Sequence, residues 1–142
     1  MRIGIDFGNV ICGGGGDDTQ FFGDNWQQTP EVAGAYDSIK GLKLMNHEIH
    51  IISKCGTATE FKSVYWLTQK GFVPFAVMER RLNFVRKREL KAPLCQALQI
   101  EIFIDDRQDI IDSLEGVVRY PILFQSWEQV NDELEKIFAA EG

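Results

Sequence analysis

Three of the short apolar runs in this 142-residue sequence that read as strands lead directly into an oxygen-bearing side chain. Asp6 follows Ile3-Gly4-Ile5, Ser53 follows Ile51-Ile52, and the pair Asp105-Asp106 follows Phe103-Ile104. Carboxylates, a hydroxyl and one lysine drawn from the 86–91 segment would together suit a hard cation and a phosphate group. Magnesium fits this set, because Mg²⁺ binds through one or two carboxylates plus substrate phosphate and keeps several waters. Zinc does not: Cys12, Cys55 and Cys95 are widely spaced, form no Cys-x-x-Cys and have only the nearby pair His47 and His50 as partners. They read as reduced thiols.

Such residues can meet only if their strands lie side by side. Residues 2–6 read as a strand running into the Gly8-Asn9 turn. Residues 12–28, with Gly13 to Gly16 in a row, Asp17-Asp18 and the aromatics Phe21, Phe22 and Trp26, read as a flexible flap loop. Thr29-Pro30-Glu31 has the form of a helix start, and Val32, Tyr36, Ile39 and Leu42 continue a helical period. The β-branched run ending at Ser53 predicts a second strand, Thr57 or Thr59 a capped helix ending at Lys70-Gly71, and residues 72–78 a third strand interrupted at Pro74. A short helix over 92–98, a buried strand over 100–104, a helix over 108–114, a strand region over 117–124 and a terminal helix over 126–139 complete the chain. Ser126 and Gln129 match a capping box. Alternating strands and helices predict an α/β fold, a three-layer Rossmann-like parallel sheet with helices on both faces, in which ligands bind beyond the carboxyl ends of the strands.

The composition sets the class. The length is that of one domain over residues 1–142, and 44% hydrophobic with 25% charged residues is globular. No apolar run approaches a membrane span, and residues 1–6 lack a signal peptide's apolar stretch, so a cytoplasmic protein without membrane partners is expected. The net charge of -6 opposes general nucleic-acid binding. Residues 79–91 are the local exception, with Arg80, Arg81, Arg86, Lys87, Arg88 and Lys91 against Glu79 and Glu89. Such a run is usually a solvated face.

The segments from Ile3 to Ile11, Ile51-Ile52-Ser53 and Phe103-Ile104-Asp105-Asp106-Arg107 together resemble the motifs of the haloacid dehalogenase (HAD) superfamily, in the same order and over nearly the whole chain. The resemblance implies a phosphatase working through an aspartyl-phosphate intermediate. Asp6 would be the nucleophile, Ser53 would bind the phosphoryl oxygens, and Lys91 would neutralise both, with Lys87 in reserve. Asn9, Ser53, Lys54 and Lys87 would contact substrate. Asp6, Asp105, Asp106 and the backbone carbonyl of Gly8 would hold Mg²⁺. Each has a plainer alternative: Asp6 as a turn cap, Ser53 and Asp106 as helix caps, the lysines as surface charge.

The chain departs from the commonest form of the family at Gly8, where a second aspartate usually serves as general acid and base. The Asp-Phe-Gly-Asn-Val form resembles a branch of the superfamily read as sugar-phosphate phosphatases. Asp17, Asp18 or Asp24 could supply a replacement acid. Alternatively the protein is a weak or inactive HAD-like module that binds phosphate or a protein. Neither gap between motifs is long enough for a cap domain, a form that resembles relatives acting on large substrates or using a neighbouring subunit as lid, so a homo-oligomer is open. The phosphorylated substrate is then a small molecule or a macromolecule, with a nucleic acid disfavoured by net charge. A receiver-like signalling domain ranks lower because here the acidic pair ends the later strand and the single aspartate the first. A glycine-rich phosphate loop ranks lower still, lacking the Gly-Lys-Ser/Thr ending.

Overall fold

The computed structural model describes residues 1–13 and 19–142. Its centre is a five-stranded parallel sheet of β1 (Arg2–Ile5), β2 (Glu48–Lys54), β3 (Leu82–Val85), β4 (Ile102–Asp105) and β5 (Tyr120–Leu123), in the order β3-β2-β1-β4-β5. β1 is the middle strand, with Ile3 beside Ile49 on one flank and Ile102 on the other. The chain moves outward from β1 to β2 and β3, then returns to the other flank for β4 and β5. The strand order therefore reverses between β1 and β4, the place where such sheets open a crevice at their carboxyl ends.

Side-chain alternation along the strands sorts the core into two faces. Ile3, Ile5, Ile49, Ile51, Ile102 and Ile104 enter one cluster, with residues of α1 (Ala35–Leu44), α2 (Thr57–Gln69) and α5 (Trp127–Glu141). Ile52 and Phe103 point the other way, into a cluster with Cys95 of α3 (Lys91–Leu98) and Ile110 of α4 (Gln108–Ser113). Helices thus cover both faces, and the strands read as near-continuous apolar runs because neither face meets water. The α5 capping box is formed as the sequence predicts, with Ser126 accepting from the Gln129 backbone.

Three local expectations are corrected. The first helix starts at Ala35 rather than at Thr29-Pro30, because Gly34 has φ 85°, outside helical space. The preceding segment pairs with the loop after β1 instead: Val32 donates its N–H to the Ile11 carbonyl, Gly13 donates to that of Pro30, and buried Trp66 donates through Nε1 to that of Thr29. Residues 72–78 form no strand. Phe72, Val73, Ala76 and Val77 are buried as a compact turn whose Ala76 and Val77 N–H groups both donate to the Phe72 carbonyl, with the Phe72 ring stacked on Trp66 at 5.8 Å. The third strand is Leu82–Val85, inside the basic segment. Helix α2 is capped by Gly56 without a side-chain bond, so neither Thr57 nor Thr59 caps it.

The expected flap is only partly described. Residues 14–18, including Asp17, Asp18 and most of the glycine tract, lie outside the described residues. Within the remainder, Phe21 is buried edge-on against Phe7 at 5.4 Å, and Phe22 is 62% exposed.

Candidate functional site

At the reversal point, β1 and β4 end on carboxylates held to one cation. The Lys91 ammonium donates to Asp6 Oδ1 at 3.1 Å and to Asp105 Oδ2 at 2.8 Å, and Lys91 is only 3% exposed. Asp105 is fully buried, and its other oxygen accepts the Arg107 backbone N–H at 3.0 Å. Lys91 reaches this point as the first residue of α3. It also lies over the Phe103 ring, 5.6 Å from the centroid. That ring needs Gly4: a Cβ there would stand 2.7 Å from Phe103 Cδ2. A missing side chain on β1 thus gives the lysine its platform.

The turn after Asp6 is tight. The N–H groups of Ile11 and Cys12 both donate to the Phe7 carbonyl, and buried Trp127 donates through Nε1 to the Val10 carbonyl. Asn9 adopts φ 62°, in the left-handed region that asparagine tolerates. A cavity of about 420 Å³ opens above this turn, with Asp6, Gly8, Asn9, Ser53, Lys91 and Asp106 in its wall. Oxygens of Asp6, Asp105 and Asp106 all lie within 4.8 Å of one another, which fits a hard cation better than a soft one. A second observation agrees with a hydrated ion here. Asn9 Oδ1 is buried without a hydrogen bond among the described residues, an acceptor suited to a metal-bound water.

Electrostatics follow from burial. Asp6 is pushed up to about 7, first by desolvation and then by Asp105 and Asp106, against the pull of Lys91. Asp106, half-buried, is raised by the same two causes, burial and Asp105. Lys91 is held above its ordinary value because the two carboxylates outweigh its own desolvation. Without a further cation the cluster is short of positive charge.

The structure brings together Asp6, Gly8, Asn9, Ser53, Lys54, Lys91 and Asp106 on one wall. Asp105 sits beneath it, both oxygens already engaged. The helix-cap alternatives fall away, since Gly56 caps α2 and Arg107 occupies the cap position of α4. Lys87 does not reach the cavity: it is exposed and lines an adjoining depression, while Arg88 takes the place beside the site. The single 3-10 turn Arg88–Leu90 lies between Lys87 and Lys91 and separates the two lysines. Asp24, exposed, is not in the wall. Sequence reasoning did not single out Arg88, Arg107 or Thr59, which also line it. For Arg88 the basic run was the only signal.

No family model matches this chain, and no curated protein sequence matches it. Solved structures do match. A D,D-heptose 1,7-bisphosphate phosphatase from B. bronchiseptica, complexed with magnesium and phosphate, superposes with TM-score 0.66 at 10% identity, over 88% of this chain and 80% of that one. A chain of the Pnkp1/Rnl/Hen1 RNA repair complex matches with TM-score 0.64 at 13% identity, over 87% of this chain but 42% of its own length. The class C acid phosphatase from Bacillus anthracis, with tungstate bound, matches with TM-score 0.57 at 17% identity, over 88% and 66%. At these identities the likeness is one of fold. It is a Rossmann-like α/β architecture, a parallel sheet with helices on both faces, as the alternation of strands and helices in the sequence predicts. No described helix is long and apolar enough to cross a membrane.

Proposed function

We propose that this chain is a magnesium-dependent phosphatase of the HAD type, hydrolysing a phosphomonoester in the cytoplasm. The observation that carries the reading is Asp6 in the wall of the cavity, held by Lys91 and flanked by two further carboxylates. Two of the fold neighbours are phosphatases, one of them bound to magnesium and phosphate.

A free Asp6 oxygen attacks phosphorus, the bond to the leaving oxygen breaks, and an aspartyl phosphate forms; water then attacks that phosphorus and releases phosphate and Asp6. Lys91 offsets the charge of Asp6 and of the phosphoryl group, and the Ser53 hydroxyl, 6% exposed at the end of β2, donates to a phosphoryl oxygen. Asp6, Asp106 and the Gly8 carbonyl, with Asp105 behind them, would hold Mg²⁺, which supplies further charge neutralisation on the transferring group. Asn9 and Lys54 contact the substrate.

A second reading, a binding module that turns over slowly or not at all, is favoured by Gly8. The only described carboxylates in the wall are Asp6 and Asp106, so a leaving alkoxide finds no separate acid among the described residues. Turnover of an aryl phosphate with and without Mg²⁺ separates the two. The phosphatase reading expects metal-dependent release that falls on the order of 10⁴-fold in Asp6→Asn. Mg²⁺ binding with no release from any of a panel of phosphomonoesters supports the binding module.

A further inference from the structure

We propose that the substrate carries a second phosphate, bound outside the reaction cavity on a cationic shelf formed by Lys54, Lys87 and Arg88. The proposal rests on the phosphate-site reading above and names the substrate class for it. A depression of about 570 Å³ adjoins the reaction cavity, and Lys54, Arg88 and Ile110 line both. A ligand with one phosphate at Asp6 and Ser53 can therefore reach the depression without leaving the protein surface.

The charges there are unevenly engaged. Arg86 is bound to Glu60 at 2.9 Å and to the Cys55 carbonyl at 3.1 Å. Asp109 is held by two hydrogen bonds from Arg107, at 3.0 and 3.1 Å. Lys54, Lys87 and Arg88 are exposed and form no ion pair among the described residues; the carboxylates of the depression are Glu89 and Asp109, and Asp109, though held by Arg107, also feels the charge of Arg88. In a chain of net charge -6, three exposed cations outside any ion pair of the described residues, beside a phosphate site, suit a second phosphate group. Two sources share this chemistry: a small bisphosphate, or the phosphodiester next to a terminal phosphate of an oligonucleotide.

The test is binding to the Asp6→Asn protein in Mg²⁺, measured by calorimetry, which does not depend on turnover. The matched probes are a hexose monophosphate against its bisphosphate, and a nucleoside 5′-monophosphate against a 5′-phosphorylated oligonucleotide. The expected result is a preference of about tenfold or more for the member with the second phosphate in at least one pair, with a steeper salt dependence. Which pair shows it identifies the source. The preference should collapse toward unity in a Lys87→Ser/Arg88→Ser background and, independently, in Lys54→Ser. No preference in either pair, or one that survives these substitutions, overturns the proposal. Aryl phosphate turnover by the unmodified protein is read in parallel. Absent turnover with an intact binding preference sinks the phosphatase reading alone, and turnover without preference sinks the shelf alone.

Discussion

The two ends of strands β1 and β2 carry two charge clusters of opposite make-up and opposite behaviour. At the amino end, Glu48 is bridged to Arg2 at 3.3 Å, to Arg81 at 3.2 Å and to His50 at 2.7 Å. Its side chain is 31% exposed, and its carboxyl is pulled below its ordinary value, chiefly by the His50 hydrogen bond. At the carboxyl end, Asp6 and Asp105 share one buried lysine, and Asp6 is raised to about 7. Water decides the sign. Where solvent reaches the carboxylate, cationic neighbours stabilise its charge; where burial and like charges dominate, one ammonium does not compensate. The first cluster is a surface feature that ties β1, β2 and the segment before β3. The second stores a shortage of positive charge that a divalent cation would offset.

The largest way to break this contrast is Lys91→Met. It leaves Asp6 and Asp105 buried without their cation, and a loss of about 3–5 kcal/mol is expected in urea unfolding of the metal-free protein. Mg²⁺ should restore part of that loss. Next comes the pH dependence. Folded Asp6 holds its proton to about pH 7, whereas the unfolded carboxyl releases it near its ordinary 3.8, so between these values the folded state binds more protons. Stability of the metal-free protein should therefore fall as pH rises from about 4 to 7 and then level off, and Asp6→Asn should remove this decline. Mg²⁺ affinity, read by calorimetry, should rise across the same window, because the ion competes with the proton for Asp6. Glu48 runs the other way: its lowered value contributes stability present above its ordinary 4.5 and lost as pH falls below it. The smallest effect is at that end. Glu48→Gln should cost less than about 1 kcal/mol near neutral pH, with aryl phosphate turnover unaltered.

The legibility of the chain followed its burial. β1, β2 and β4 were readable because strands covered on both faces are apolar throughout and end abruptly on a polar residue. β3 was not: it is an edge strand of partly buried residues, with Asn83 in its middle and cations on both sides. The apolar run at 72–78 was more conspicuous, but its hydrophobicity serves a buried turn packed on Trp66 and Tyr36. Likewise Pro30 has the chemistry of a helix start, and pairing with the loop after β1 overrode it.

The sequence by itself determined the α/β alternation, the polar residues at three strand ends and the oxygen-bearing, sulfur-free character of those residues, because these depend on residue type and local period. Only the tertiary structure decided which lysine enters the cluster. Lys87 and Lys91 are equal as charges, and what separates them is one helical turn, a phenylalanine ring and the space left by Gly4. Tertiary packing also set Asp105 beneath the cavity and Asp106 in its wall, although the two are adjacent in sequence. Adjacent residues at a strand end part company at the point where the pleat stops and the chain turns, and only the packed fold sets the direction each one takes.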